Sequence, residues 1–560
     1  MPLMGSLYIG VSGLQTSQNS LNTTAHNVSN AENKGYVRQQ ILQATNVYNT
    51  IKKDKDAVSD QQIGLGVVYA KTRQVRDVFL DNTYRRESGR QGFYQVSVDA
   101  LEEIECLLDE MNGESFQEAI QDLWTSVQEL AKDPSSAVTQ GLFVERCSEF
   151  LARGQSVYEG LCDYQSSLNS QVNSLVDTVN DYAERIKTLN DQIRNIECGG
   201  FEEANDLRDE RNQLLDELGS IASISYSEDL DSTIWVQLEG EDLVRGEISY
   251  KILTKANPDT GFYDVFWEKN AKYELDELGN RTYSDAEVKK ARVFDLERLI
   301  SSDLNTDIGK LKSTLLARGD HKGTYTDLSE DRYTNSVSQS LCLNIMAEFD
   351  QLVHNVATGV NEVLVNAANR ATAINPNSTY LRDENGNPIQ VFQKIASDGY
   401  YYDATLGSYQ YMKEDPDINE TQYSTTNMQI NMKLLQQPTK LGFVLPDGSV
   451  DFTTMEEFKA AFTVEDTPLN INVKKLSNFV DYYSDLVSQV ANSGSVYKSI
   501  LDSQDSTVLS TDNARQQIIG VSTDEELTYM IRFQNAYNAS SRYINVVDDM
   551  LEHIINTLAM

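Results

Sequence analysis

Apolar residues recur at every seventh position at both ends of this chain. Leu7, Leu14, Leu21 and Val28 form one stripe, with Val11 and Ala25 beside it. Met530, Tyr537, Ile544, Leu551 and Leu558 form the other, with Phe533, Val547 and Ile554 as a companion row. A seven-residue repeat keeps its side chains on one face of a helix, and that face requires a helical partner. Between the apolar positions of residues 1–33 lie Asn, Ser, Thr and Gln, with Glu32 the only acid. The run Ala31–Tyr36 ends this helix, because Asn33 and Gly35 tolerate the left-handed backbone of a C-cap. At the other end Ser522 or Thr523 can cap, and the acids that follow suit a first helical turn. One stripe cannot repay the entropy of ordering so long a helix. Both ends are therefore expected to be disordered alone and to become helical against each other and against neighbouring subunits. Repeated stacking of such pairs builds a fibre or tube.

The interior reads as long helices. Phe93, Val96, Ala100, Ile104, Leu107 and Met111 follow helical spacing, as do Val172, Val176, Val179, Tyr182, Ile186, Leu189, Ile193 and Ile196. Residues 114–132, 137–153, 201–222, 334–373 and 475–502 carry similar patterns. Two regions switch to alternation and turn signals, 223–324 and 376–471. The fold expected is mainly α with inserted β-rich domains. It is a discontinuous rod of long helices, with the N- and C-terminal helices paired in a coiled-coil-like terminal domain. The divisions are 1–45 plus 516–560 for that terminal domain, and 46–222 plus 325–375 plus 472–515 for the rod. Residues 223–324 are a β-rich insertion and 376–471 a second, variable one. Each insertion is expected to carry its own core.

Composition narrows the function. A chain of 560 residues exceeds a single core, and only 9 prolines leave few helix breakers. The net charge of −38 repels phosphate backbones and anionic headgroups, so neither nucleic acid nor membrane is an expected partner. No apolar run approaches the ~18 residues of a membrane span. The first basic residue is Lys34, so no signal peptide is expected, and by general rules the chain would be cytosolic.

Candidate chemistry is sparse. Cys106, Cys147, Cys162, Cys198 and Cys342 are odd in number and widely spaced, which argues against a disulfide framework or zinc site. His26, His321, His354 and His553 have no partner at metal-ligand spacing. Gly64-Leu65-Gly66 lacks a third glycine and precedes a strand-like run, so it reads as a loop rather than a dinucleotide site. The run at 383–387 places Gly386 fourth, where a calcium loop needs it sixth, and reads as a hairpin turn. No catalytic, cofactor or metal residues are assigned, and no enzyme is expected.

Two segments carry a resemblance. The run from Ser12 to Gln39 resembles the N-terminal signature of flagellar rod, hook and hook-associated proteins, matched at Asn27, Asn30, Gly35 and Tyr36, with Ala25 in place of the usual Ser. The C-terminal segment, GVSTDEE followed by FQNAYNASSR, is similar to the hook–filament junction family of hook-associated proteins. Internal runs such as DLWTSVQELAKDPSSAV agree, whereas the two insertions match poorly. The resemblance implies a structural adaptor of the bacterial flagellum, exported unfolded through the type III channel and lacking a signal peptide for that reason. It implies a ring of subunits on the hook protein, a second hook-associated junction protein above it, and an export chaperone on the C-terminal helix. The competing readings are another axial protein, of hook or filament type, and a secreted adhesin.

Overall fold

The computed structural model describes residues 2–52, 61–109, 115–200, 202–276, 279–395, 400–411, 414–416 and 418–558. Helix α1 (Pro2–Ser29) runs into a turn at 30–36, where Gly35 adopts φ +87°. Strands β1 (Gln39–Thr45) and β2 (Val67–Gln74) then pair antiparallel, from Gln39↔Gln74 to Thr45↔Val67. This hairpin lies on α1, and Gly66 makes the approach possible. Gly66 has φ +94°, and a Cβ there would stand 2.1 Å from Ser12 Oγ and 3.2 Å from the Ile9 Cα. The dismissed Gly64-Leu65-Gly66 run is thus a docking point between strand and helix.

The body is built from α2 (Val78–Asp109), α3 (Phe116–Lys132), α4 (Ala137–Glu197) and α5 (Asn205–Ile221). It is completed by α6 (Lys310–Arg318), α7 (Leu341–Ile374), α8 (Phe452–Thr463) and α9 (Phe479–Ile519). Ser115 and Ser136 cap α3 and α4 by accepting from Glu118 N and Val138 N. The sequence splits α4 into two segments, yet it is one helix of 61 residues. The intervening Gly154 lies at a close crossing, where a Cβ would meet Val353 at 3.3 Å and Phe116 at 3.4 Å. Around that crossing, Phe116 packs on Phe150, Phe349 and Tyr483 with ring centroids 4.9–5.3 Å apart.

Strands β3 (Ile224–Glu228), β4 (Ile234–Leu238), β5 (Glu241–Arg245) and β6 (Ile248–Ser249) form an antiparallel sheet in that order. Next to it β7 (Ile252–Ala256) pairs with β8 (Tyr263–Trp267). Val236, Leu243, Val244 and Trp267 from these strands share a core with Val172, Val179, Ile186 and Ile193 of α4. Residues 376–471 contain the short pair β9 (Phe392–Lys394) and β10 (Met428–Ile430), a hairpin at 400–411, and α8. A core of its own was expected for this segment, and the packing differs. Tyr423, Met428, Phe443, Phe458 and Phe462 join the same buried cluster as Phe116, Phe143 and Phe150. Phe458 meets Phe143 at 5.5 Å, and Phe462 stacks on Trp124 at 5.7 Å. Phe458 and Phe462 are one helical turn apart, a spacing too short to stand out among turn signals.

Helix α10 (Thr523–Leu558) follows α9 after a break at Gly520–Ser522 and lies antiparallel against α1. Gly10 faces Ile544, Gly13 faces Ser540 and Asn27 faces Glu526.

Candidate assembly interface and the joint at its base

Most of the sequence-derived stripe residues on the two terminal helices are partly buried. Leu7, Leu14, Leu21 and Val28 are half-buried, as are Met530, Phe533, Tyr537, Ile544 and Leu551, and Val547 is buried. Val11 and Ile554 stand largely exposed. The Leu558 side chain lies outside the described residues. Glycine at positions 10 and 13 lets the helices approach: a Cβ would sit 2.6 Å from Ile544 Cγ1 and 2.8 Å from Ser540 Oγ.

Two further faces escape the seven-residue pattern. Thr16, Ser17, Ser20, Thr24 and Asn27 are all buried. Thr16, Ser17 and Ser20 return their hydroxyls to carbonyls one turn back, at 2.7–2.9 Å, so their burial leaves no donor unsatisfied. The opposite case is the outer side of the pair. Leu527, Ile531, Val546, Met550 and Ile555 of α10, with Met4, Tyr8 and Val11 of α1, are exposed. The i, i+4 pairs Leu527/Ile531 and Val546/Met550 in α10 are the signal that could have found this face.

At the base of the pair the motif residues form a joint to the body. The Asn27 amide donates to the Gln39 carbonyl at 2.9 Å and to Glu526 Oε2 at 3.1 Å. Its Oδ1 accepts from Tyr36 Oη at 2.7 Å and Gln39 N at 3.1 Å. Both donors and both lone pairs are used, a set that Asp cannot supply. Buried Glu526 also accepts from Arg38 Nε at 2.9 Å, and Arg38 N donates to the Ile519 carbonyl at 2.9 Å. Asn30 accepts from Asn33 at 2.7 Å and closes the turn. A Cβ on Gly35 would press on Gln213 Oε1 at 3.1 Å in a backbone already at positive φ.

Helix α5 is the anchor on the body side. Asp209 accepts from Val37 N at 3.2 Å and from Gln74 at 2.7 Å, and burial pushes its carboxyl up to about 7. Burial, with the carboxylates of Asp209, Asp206 and Glu526 nearby, also raises the Tyr36 phenol well above its ordinary value. Asp216 takes Arg85 at 2.7 Å and Arg515 at 2.6 Å, tying α2, α5 and α9 together beneath the joint.

Elsewhere the polar groups are structural in geometry. His321 bridges Asp320 at 2.7 Å and Asp327 at 3.1 Å, and those carboxylates hold its imidazole up at about 10 against the opposing effect of burial. Among the described residues no group of three or more His, Cys, Asp or Glu side chains is placed to hold a metal ion. No helix among them is long and apolar enough to cross a membrane.

This architecture of long helices is shared with flagellar proteins, and two family models match the chain. Residues 101–289 match the flagellar hook-associated protein FlgK helical domain, and 517–557 the flagellar basal body rod FlgEFG protein C-terminal family. The chain is 25% identical to flagellar hook-associated protein 1 of Bacillus subtilis, covering 100% of this chain and 99% of the relative. It is 22% identical to the Escherichia coli protein of that name, covering 98% of each. A solved flagellar hook junction protein FlgK from Burkholderia pseudomallei shares the fold, with TM-score 0.52 over 79% of this chain and 100% of that one, at 12% identity. Along its whole length the chain is similar to the flagellar hook-associated protein 1 relatives.

Proposed function

We infer that this chain is a structural protein of the bacterial flagellum that joins hook to filament. The observation that carries this reading is the end-to-end match to hook-associated protein 1 relatives. The role is mechanical, and the family is structural rather than enzymatic.

The finer reading concerns the parts. Residues 1–45 with 516–560 act as the assembly unit, in which Leu7, Leu14, Leu21, Val28, Met530, Phe533, Tyr537, Ile544, Val547, Leu551, Ile554 and Leu558 form coiled-coil-like seams, with Val11 on the outer rim. The exposed row Leu527, Ile531, Val546 and Met550 supports this, because an apolar face left open within one chain suits helices of neighbouring subunits. The helical body forms the rod, 223–324 is an insertion packed on it, and 376–471 is an insertion that shares its core. The partners are further copies in a ring, the hook protein, a second hook-associated junction protein, and an export chaperone that covers the C-terminal helix before secretion. Asn27, Asn30, Gly35 and Tyr36 hold the assembly unit to the rod.

Deleting the gene tests the reading. Hooks should persist without filaments, and flagellin should be lost to the medium. Normal filaments on a clean deletion strain would overturn it.

A further inference from the structure

A strict seven-residue stripe is degenerate to sliding. If α10 moves by one heptad along α1, Leu14 meets Phe533 or Val547 in place of Ser540, so an apolar layer survives the slide in either direction. The apolar seam therefore sets which faces meet without setting which residues meet. A polar contact that cannot be made in the shifted pairings breaks such a degeneracy. Residues that face each other across this antiparallel pair have numbers summing to 553 or 554, as in Gly10 with Ile544 and Asn27 with Glu526. One heptad of sliding in either direction would set Asn27 opposite Ile519 or Phe533. In the first case Glu526 would face Ser20.

We propose that Glu526 is the positioning residue that selects the register of α1 against α10 and fixes the pair on the body, acting through Asn27 and Arg38. Three observations carry this. Glu526 is only 3% exposed, so its carboxylate must be partnered wherever it sits. Its two oxygens go to different segments, Oε1 to Arg38 at 2.9 Å and Oε2 to Asn27 at 3.1 Å. Arg38 belongs to the chain that enters β1 and bonds the last carbonyl of α9, so the carboxylate joins both terminal helices to the body. Slipping the helices would strand the carboxylate and the Asn27 amide together, at a cost that the lost apolar layer alone would not impose. The glycine notch sets how close the helices come; Glu526 sets which residues meet. The proposal rests on the reading of residues 1–45 with 516–560 as the assembly unit.

Disulfide trapping on the purified full-length protein reads the register directly, even from a transient pair. A Cβ at position 13 would lie 3.6 Å from the Ser540 Cβ, within the span of a disulfide. In a background carrying Cys106→Ser, Cys162→Ser and Cys198→Ser, Gly13→Cys with Ser540→Cys reports the native register. Gly13→Cys with Phe533→Cys or with Val547→Cys reports the two slipped ones. The native pair should cross-link in preference to both. Glu526→Gln should lower that preference by roughly tenfold, as loss of a charge-assisted bond would. Arg38→Gln should act likewise, Arg38→Lys should retain the preference, and melting of the body should not change. An unaltered preference in both Glu526→Gln and Arg38→Gln would overturn the proposal. Failure of the assembly reading shows separately, as failure of the wild-type gene to restore filaments to a deletion strain.

Discussion

Glu348 lies on α7 with no exposed surface and receives amide donors from three directions: Asn344 at 3.2 Å, Asn470 at 2.6 Å and Gln489 at 2.9 Å. Burial pushes its carboxyl up to about 7, and these hydrogen bonds oppose the shift only in part. The native state therefore holds a proton between about pH 4.5 and 7 that the unfolded chain releases. Stability contributed by this group is full below the unfolded value and is lost as pH rises toward 7. Asp209, also raised to about 7, adds to the same slope. Glu348→Gln should remove this residue's share. Its gain over the parent should be roughly 2–4 kcal/mol at pH 8 and near zero at pH 4.5, from denaturant melts at both values. A constant difference across that range would contradict the assignment. Neither acid stands out among 85 acidic residues of the sequence. Asn27, by contrast, was legible as part of a motif, though its four bonds were not.

At the scale of elements, α10 combines a half-buried row with a fully open one. Such a helix gains too little from α1 alone to offset its conformational entropy. In the isolated monomer residues 530–558 should exchange their amide hydrogens rapidly, and they should become protected on assembly. Strong protection before assembly would instead mark an ordinary core helix. Leu551→Asp should cost on the order of 3 kcal/mol per subunit in the assembled state, because the seam would bury an unpaired carboxylate. It should leave the melting of the isolated chain almost unchanged. The seven-residue stripes predict these helices and their mutual face, because periodicity is local information. The open row and the buried hydroxyl face of α1 are invisible to that pattern, since which side the hairpin covers depends on Gly66 docking at Ser12.

At the scale of the molecule, the decisive observation is one core shared between the helical rod and residues 376–471. Phe458 and Phe462 reach Phe143 and Trp124 across more than 300 residues of chain. Excising 376–471 with a short linker should therefore strip one wall from the largest buried cluster and abolish cooperative thermal melting of the remainder. A sharp transition in the excised chain, read by circular dichroism, would mean that the rod closes its core alone. The first insertion differs in degree: its sheet packs mainly on α4 and α5, in a cluster separate from that of Phe116.

What the sequence determined by itself is what short-range pattern and local motif encode. These are the long helices, including those at both ends, the alternation of the first insertion, and signature residues specific enough to point to a flagellar family. The tertiary structure alone decided the rest. It joined two predicted helical segments into the continuous α4, with Gly154 packed closely against Val353 and Phe116. It placed residues 376–471 within the rod's core, and it brought Asn27, Arg38, Asp209 and Glu526 together at one joint. The reason is the same in each case. Contacts between residues hundreds of positions apart leave no periodic trace, and a buried polar residue reads in sequence like a solvated one until its partners are known.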